Sequence, residues 1–74
     1  MRKRSVTIDG HRTSISLEDA FWAELQTLSG ERGLPLNALV AQIDHARAGT
    51  GGNLSSALRL YVLEELKRRT ISRA

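Results

Sequence analysis

The sequence predicts a mostly helical chain with a short β ribbon at its N-terminus, completed by pairing with a second copy of itself. Three observations lead there. Apolar and polar side chains alternate from Arg4 to Leu17 on either side of an Asp-Gly pair, the patterning of two strands around a tight turn. Glu18 to Arg32 and Leu36 to Arg47 then carry apolar residues at helical spacing, separated by Gly33 and Pro35. Finally, 74 residues without a cysteine form one small domain that cannot lean on disulfides or thiolate-bound metal, so a partner subunit is the remaining support for its core.

In the hairpin, Asp9-Gly10 supplies a two-residue turn because Gly accepts positive φ cheaply. With that turn, Ile8 faces His11, Val6 faces Thr13 and Arg4 faces Ile15. Val6, Ile8, Thr13, Ile15 and Leu17 then share one face, while Ser5, Thr7, Arg12, Ser14 and Ser16 share the other. The first helix is expected over residues 18–32, with a Ser16-to-Asp19 capping box at its start and Gly33 as its left-handed stop. Phe21, Leu25 and Leu28 form its stripe, with Trp22 alongside. Pro35 suits the first position of a second helix, where a missing N–H costs nothing; Leu36, Leu39, Val40 and Ile43 mark its apolar face. Ala48 to Gly52 reads as a flexible linker. A third helix follows over 53–69, capped by Asn53, Ser55 or Ser56, with Leu54, Leu58, Tyr61, Val62 and Leu66 in its main stripe and Leu60 and Leu63 widening it. The expected organisation is thus a single domain, 1–74: a basic arm at 1–4, a hairpin at 5–17, a helix pair at 18–47 and the third helix at 53–69.

Composition narrows the function classes. An apolar fraction of 41% belongs to a folded domain rather than a solvated tail. No apolar run approaches the roughly 20 residues of a membrane span, and no apolar stretch follows Met1 to Arg4 to make a secretory signal; a cytoplasmic protein is expected. Eleven Lys and Arg against eight Asp and Glu give a net charge of +3. Arg2, Lys3 and Arg4 alone account for that excess, and Lys67, Arg68, Arg69 and Arg73 form a second basic cluster. A polyanionic partner is permitted by this charge, not demanded. Catalysis is not expected. The two histidines, His11 and His45, lie far apart in sequence, and Asp44 and His45 point about 100° apart on a helix. No phosphate-cradling glycine loop is present, and neither a metal nor a cofactor is called for.

A strand followed by two helices leaves a strand edge that a second copy covers at least cost. Two such strands form a ribbon that fits the DNA major groove. Thr13-Ser14-Ile15-Ser16-Leu17, the helix from Glu18 to Arg32, Gly33, and Leu36-Asn37 onward resemble the Arc-type ribbon-helix-helix unit over residues 11–47. The longer strings RSVTIDGHRTSISLEDAFWAEL, RGLPLNALVAQID and NLSSALRLYVLEEL resemble a small bacterial ribbon-helix-helix family over nearly the whole chain.

The resemblance implies a homodimer, or a higher oligomer, that binds double-stranded DNA and regulates transcription. It implies Arg12, Ser14 and Ser16 as ribbon residues reaching base edges, and Leu36 and Asn37 as the helix start whose backbone N–H groups clamp a phosphate. Arg2, Lys3 and Arg4 would act as a flexible electrostatic arm. Two features depart from the pattern. Pro35 stands where a hydroxyl residue is common, and the strand before the turn would give the dimer a four-stranded sheet. Three gaps of about 4.8 Å make about 14 Å of backbone, against a groove about 12 Å wide. Either the first strand peels away on docking, or another surface is used. The alternative is a ribbon-helix-helix scaffold that binds a small anionic ligand or a protein partner without DNA contact, through a pocket near His11, Arg12 and the third helix.

Overall fold

The computed structural model describes residues 2–47 and 53–72. Met1, the expected linker at 48–52 and Arg73 of the second basic cluster lie outside the described residues. Two antiparallel strands, β1 (Arg2–Ile8) and β2 (His11–Leu17), precede three helices, α1 (Asp19–Glu31), α2 (Leu36–Ala46) and α3 (Leu54–Ser72). The chain is mostly helical with a small β ribbon, the fold class read from the sequence.

Asp9 and Gly10 both take positive φ, 53° and 79°. This is the pair of left-handed residues that a type I′ turn needs to match the twist of its strands. The register follows from it: Ile8 opposite His11, Val6 opposite Thr13, Arg4 opposite Ile15, as expected, and onward to Arg2 opposite Leu17. That continuation corrects one expectation. Arg2, Lys3 and Arg4 are not a flexible arm but the first three residues of β1, so the hairpin begins at Arg2 and not at Ser5. The physical reason is the length of β2, whose last residues Ser16 and Leu17 offer ladder partners to Lys3 and Arg2.

Val6, Ile8, Ile15 and Leu17 bury their side chains on Leu25, Leu28, Leu39, Val40, Ile43, Leu58 and Val62. Thr13, placed on that same face, remains exposed near the turn. Leu58 and Val62 of α3 are essentially solvent-free, so one chain closes a core of its own with the help of β1 and α3. Phe21, Trp22, Leu36, Leu54 and Tyr61 pack at its margin, half-buried. Leu60, Leu63 and Leu66 are exposed on the far side of α3.

The helix ends show which local signals were used. The Ser16–Asp19 capping box does not form: Glu18 is the N-cap of α1 and no side chain bonds the first turn. Ser16 is held extended in β2, Asp19 turns to Arg4 at 2.9 Å, and Glu18 turns to Arg59 at 2.8 Å. At the other end Gly33, φ 68°, donates to Gly30 and the next N–H, of Leu34, reaches back to Ser29, the paired bonds of a Schellman stop. Pro35 is the N-cap of α2 and not its first residue, so the helix begins at Leu36, one residue later than expected. Asn53 caps α3 through its side-chain oxygen, which accepts from the Ser56 N–H at 2.8 Å. α3 runs to Ser72, beyond the expected end at residue 69.

Candidate functional site

The period of two in a strand sorts the hairpin into two faces. Lys3, Ser5 and Thr7 of β1 lie opposite Ser16, Ser14 and Arg12 of β2, on the face turned away from the core. All are exposed except Ser16, which is half-buried. This face carries two cations, four hydroxyls and no carboxylate. The single acidic residue of the hairpin, Asp9, sits in the turn, 2.8 Å from His45. Among the described residues, neither Lys3 nor Arg12 has an acidic partner, whereas Arg4 on the core-side face is engaged twice. Its guanidinium lies 2.9 Å from Asp19 and 4.9 Å from the centre of the Trp22 ring. The three basic residues expected to act alike therefore divide: Arg2 and Lys3 are exposed, and Arg4 is a structural strut.

The start of α2 stands beside this face. The Thr7 N–H donates to the Asn37 side-chain oxygen at 3.3 Å. Two consequences follow. First, Thr7 does not spend its N–H on β2, so it is a non-hydrogen-bonded position of the antiparallel ladder. By alternation so are Ser5 and Lys3, and, opposite them, Arg12, Ser14 and Ser16. The N–H and C=O groups of Arg12, Ser14 and Ser16 therefore point outward from the free edge of β2. Second, the edge of β1 is blunted by Asn37, while among the described residues no strand pairs with the outer edge of β2. The intrahelical bonds of α2 begin with the Ala38 and Leu39 N–H groups, both on the Pro35 carbonyl. The Leu36 and Asn37 N–H groups precede them, and no side chain caps them. Pro35 removes a hydroxyl from this place but leaves those donors uncovered.

His11 and Arg12 do not make one site. Adjacent strand residues point to opposite faces, so Arg12 joins the outer face while His11 faces a hollow at the β2 edge, walled by Ile8, Ile15, Asp44, Arg47 and Leu54. Of the pocket expected near His11, Arg12 and the third helix, His11 and the start of α3 line this hollow and Arg12 does not. His45 is held above its ordinary pKa, first by its hydrogen bond to Asp9 and then by the charge of that carboxylate. Glu18 is held below the usual carboxylate range by its hydrogen bond from Arg59. Among the described residues no three His, Asp or Glu side chains converge as metal ligands, and no helix is long and apolar enough to cross a membrane.

Sequence reasoning missed Lys3 as a member of the outer face because the strand was started at Ser5. Carrying the same alternation two residues further would have found it. Nothing in the sequence marks the Asn37–Thr7 bond, which joins residues 30 positions apart.

An antiparallel hairpin whose second strand runs into two helices joined by a Gly-ended turn defines a β-ribbon helical domain. A family model described as the ribbon-helix-helix domain matches residues 1–66, and the chain belongs to that family. Its members are generally DNA-binding regulators of transcription and typically not enzymes. Comparison with curated proteins and with solved structures gives no match.

Proposed function

We propose that this chain is a non-enzymatic, DNA-binding regulator of bacterial transcription, working as a homodimer through the outer face of its sheet. The carrying observation is that face: Arg12 and Lys3 among hydroxyls, without a carboxylate, beside a helix start with two uncovered N–H groups. Arg12 offers a fork for the O6 and N7 of guanine, Ser14 and Ser16 offer less selective hydroxyls, and Leu36 and Asn37 offer backbone donors for a phosphate. The Asn37 amide nitrogen remains a donor while its oxygen serves Thr7.

The open edge of β2 supports the dimer. A two-fold pairing centred on Ser14 sets Arg12 of one protomer opposite Ser16 of the other, and uses every outward N–H and C=O of Arg12, Ser14 and Ser16. The hollow beneath that edge, partly lined by Ile8, Ile15 and Leu54, is where the Thr13 and Ile15 side chains of the second copy would lie. A location in the bacterial cytoplasm goes with this reading.

Titration of a labelled mixed-sequence duplex over a series of salt concentrations tests it. The logarithm of the binding constant should fall linearly with the logarithm of salt concentration, about 0.9 in slope per phosphate engaged. Binding without salt dependence, or none at low salt, would remove DNA as the partner.

A further inference from the structure

In the proposed dimer the strand order is β1-β2-β2-β1, and β1 is firmly seated. Val6 and Ile8 are buried, Arg4 is tied to Asp19 and Trp22, Thr7 to Asn37, and Asp9 to His45. A strand anchored from Arg4 to Ile8 resists peeling away to make room. With strands about 4.8 Å apart, the two β2 strands lie about 2.4 Å from the dyad and the two β1 strands about 7 Å from it. The half-width of the major groove is about 6 Å. The β2 pair therefore sits over the groove, and each β1 strand sits over the phosphate ridge that borders it.

What β1 presents there fits a phosphate. Its outward residues are Lys3, Ser5 and Thr7, one cation and two hydroxyls, and β1 contains no acidic residue to oppose a phosphate. The start of α2 is bonded to the edge of this same strand at Thr7, which brings two N–H groups without a side-chain cap close to it. We infer that β1 is a phosphate rail: Lys3, Ser5 and Thr7 rest on the two backbones flanking the groove while Arg12 reaches between them. The inference rests on the DNA-binding reading and on pairing through β2. It turns the wide sheet from an obstruction into the contact surface, and it limits how deeply the sheet can enter. Arg12, the longest side chain over the groove, then reaches further toward a base edge than Ser14 and Ser16.

The test compares Lys3→Gln, Ser5→Asp and Arg4→Gln with the parent dimer, each checked by circular dichroism for an unchanged fold. Two probes serve: a mixed-sequence duplex, and the tightest duplex selected from a random pool. Lys3→Gln should lower the salt slope by about 2, one phosphate per protomer, and weaken both duplexes by the same factor. Ser5→Asp should weaken both at least tenfold at low salt, since it sets a carboxylate against phosphate. Arg4→Gln should leave the slope unchanged because Arg4 faces the core. A parent slope that Lys3→Gln and Ser5→Asp do not alter would overturn the rail and leave DNA binding standing. Loss of preference between the duplexes in Lys3→Gln would overturn it too, by making Lys3 a base reader. A parent protein with no salt-dependent binding to either duplex would instead remove the reading on which the rail rests.

Discussion

Replacing Val6 and Ile8 together by Ala separates a seated β1 from one that must leave. Val6 is 2% and Ile8 9% exposed, so the two changes remove five buried methyl or methylene groups. At about 0.8 kcal/mol each, they make detachment of β1 about 4 kcal/mol cheaper. If detachment preceded DNA docking, the observed affinity of the parent would be reduced by the small fraction of detached molecules. The variant would then bind up to about a thousandfold more tightly, since each 1.4 kcal/mol is worth a factor of ten. The seated strand predicts the reverse: no gain, and a loss that follows the fraction of folded protein. Anisotropy titration of a fixed duplex, run beside a thermal melt of the same sample, measures both quantities. Tighter binding by a less stable variant would refute the reasoning.

Three further outcomes follow from the packing. Ser14→Pro removes an N–H that points away from β1 and sets a ring on the open edge; sedimentation should show a folded monomer, and a dimer of parental strength would show that pairing does not use β2. Leu58→Ala should cost about 3–5 kcal/mol in denaturant unfolding, because Leu58 is fully buried and joins α3 to the core; a cost under about 1 kcal/mol would show α3 to be an appendage. The His45–Asp9 tether carries a pH signature. The pKa of His45 is raised in the folded chain by its Asp9 hydrogen bond, so the contribution of the tether is complete below the unfolded value of 6.5 and is lost as pH rises through the folded value. His45→Gln should therefore lower Tm relative to the parent at about pH 5.5 and match it near pH 9; an equal gap at both would assign the effect to packing.

The hairpin was legible residue by residue because a period of two and an Asp-Gly turn leave one register open, and the apolar side chains decide which face is buried. The same logic placed Arg12, Ser14 and Ser16 together on the outer face. What sequence did not show is how the polar residues choose among partners. Glu18 and Asp19 look like helix-start residues, yet Glu18 answers to Arg59, 41 positions away, and Asp19 to Arg4. Asn37 looks like a phosphate donor, and its oxygen is also the stop on the β1 edge. Such pairings depend on which surfaces the fold brings together, and local pattern carries no record of them. Charge misled for the same reason. Arg2, Lys3 and Arg4 are contiguous in sequence, but the strand turns the middle one to the outer face and locks the last against Trp22.

Arg12→Ala, measured on duplexes selected from a random pool, bears most directly on the claim that the outer hairpin face reads DNA. The parent should discriminate at a base position in each half-site, and the variant should lose about 1–3 kcal/mol of that discrimination at the one position. Its salt slope should change little, because the proposed docking puts Arg12 over the groove and not over a phosphate. A variant that keeps every base preference of the parent would contradict the account.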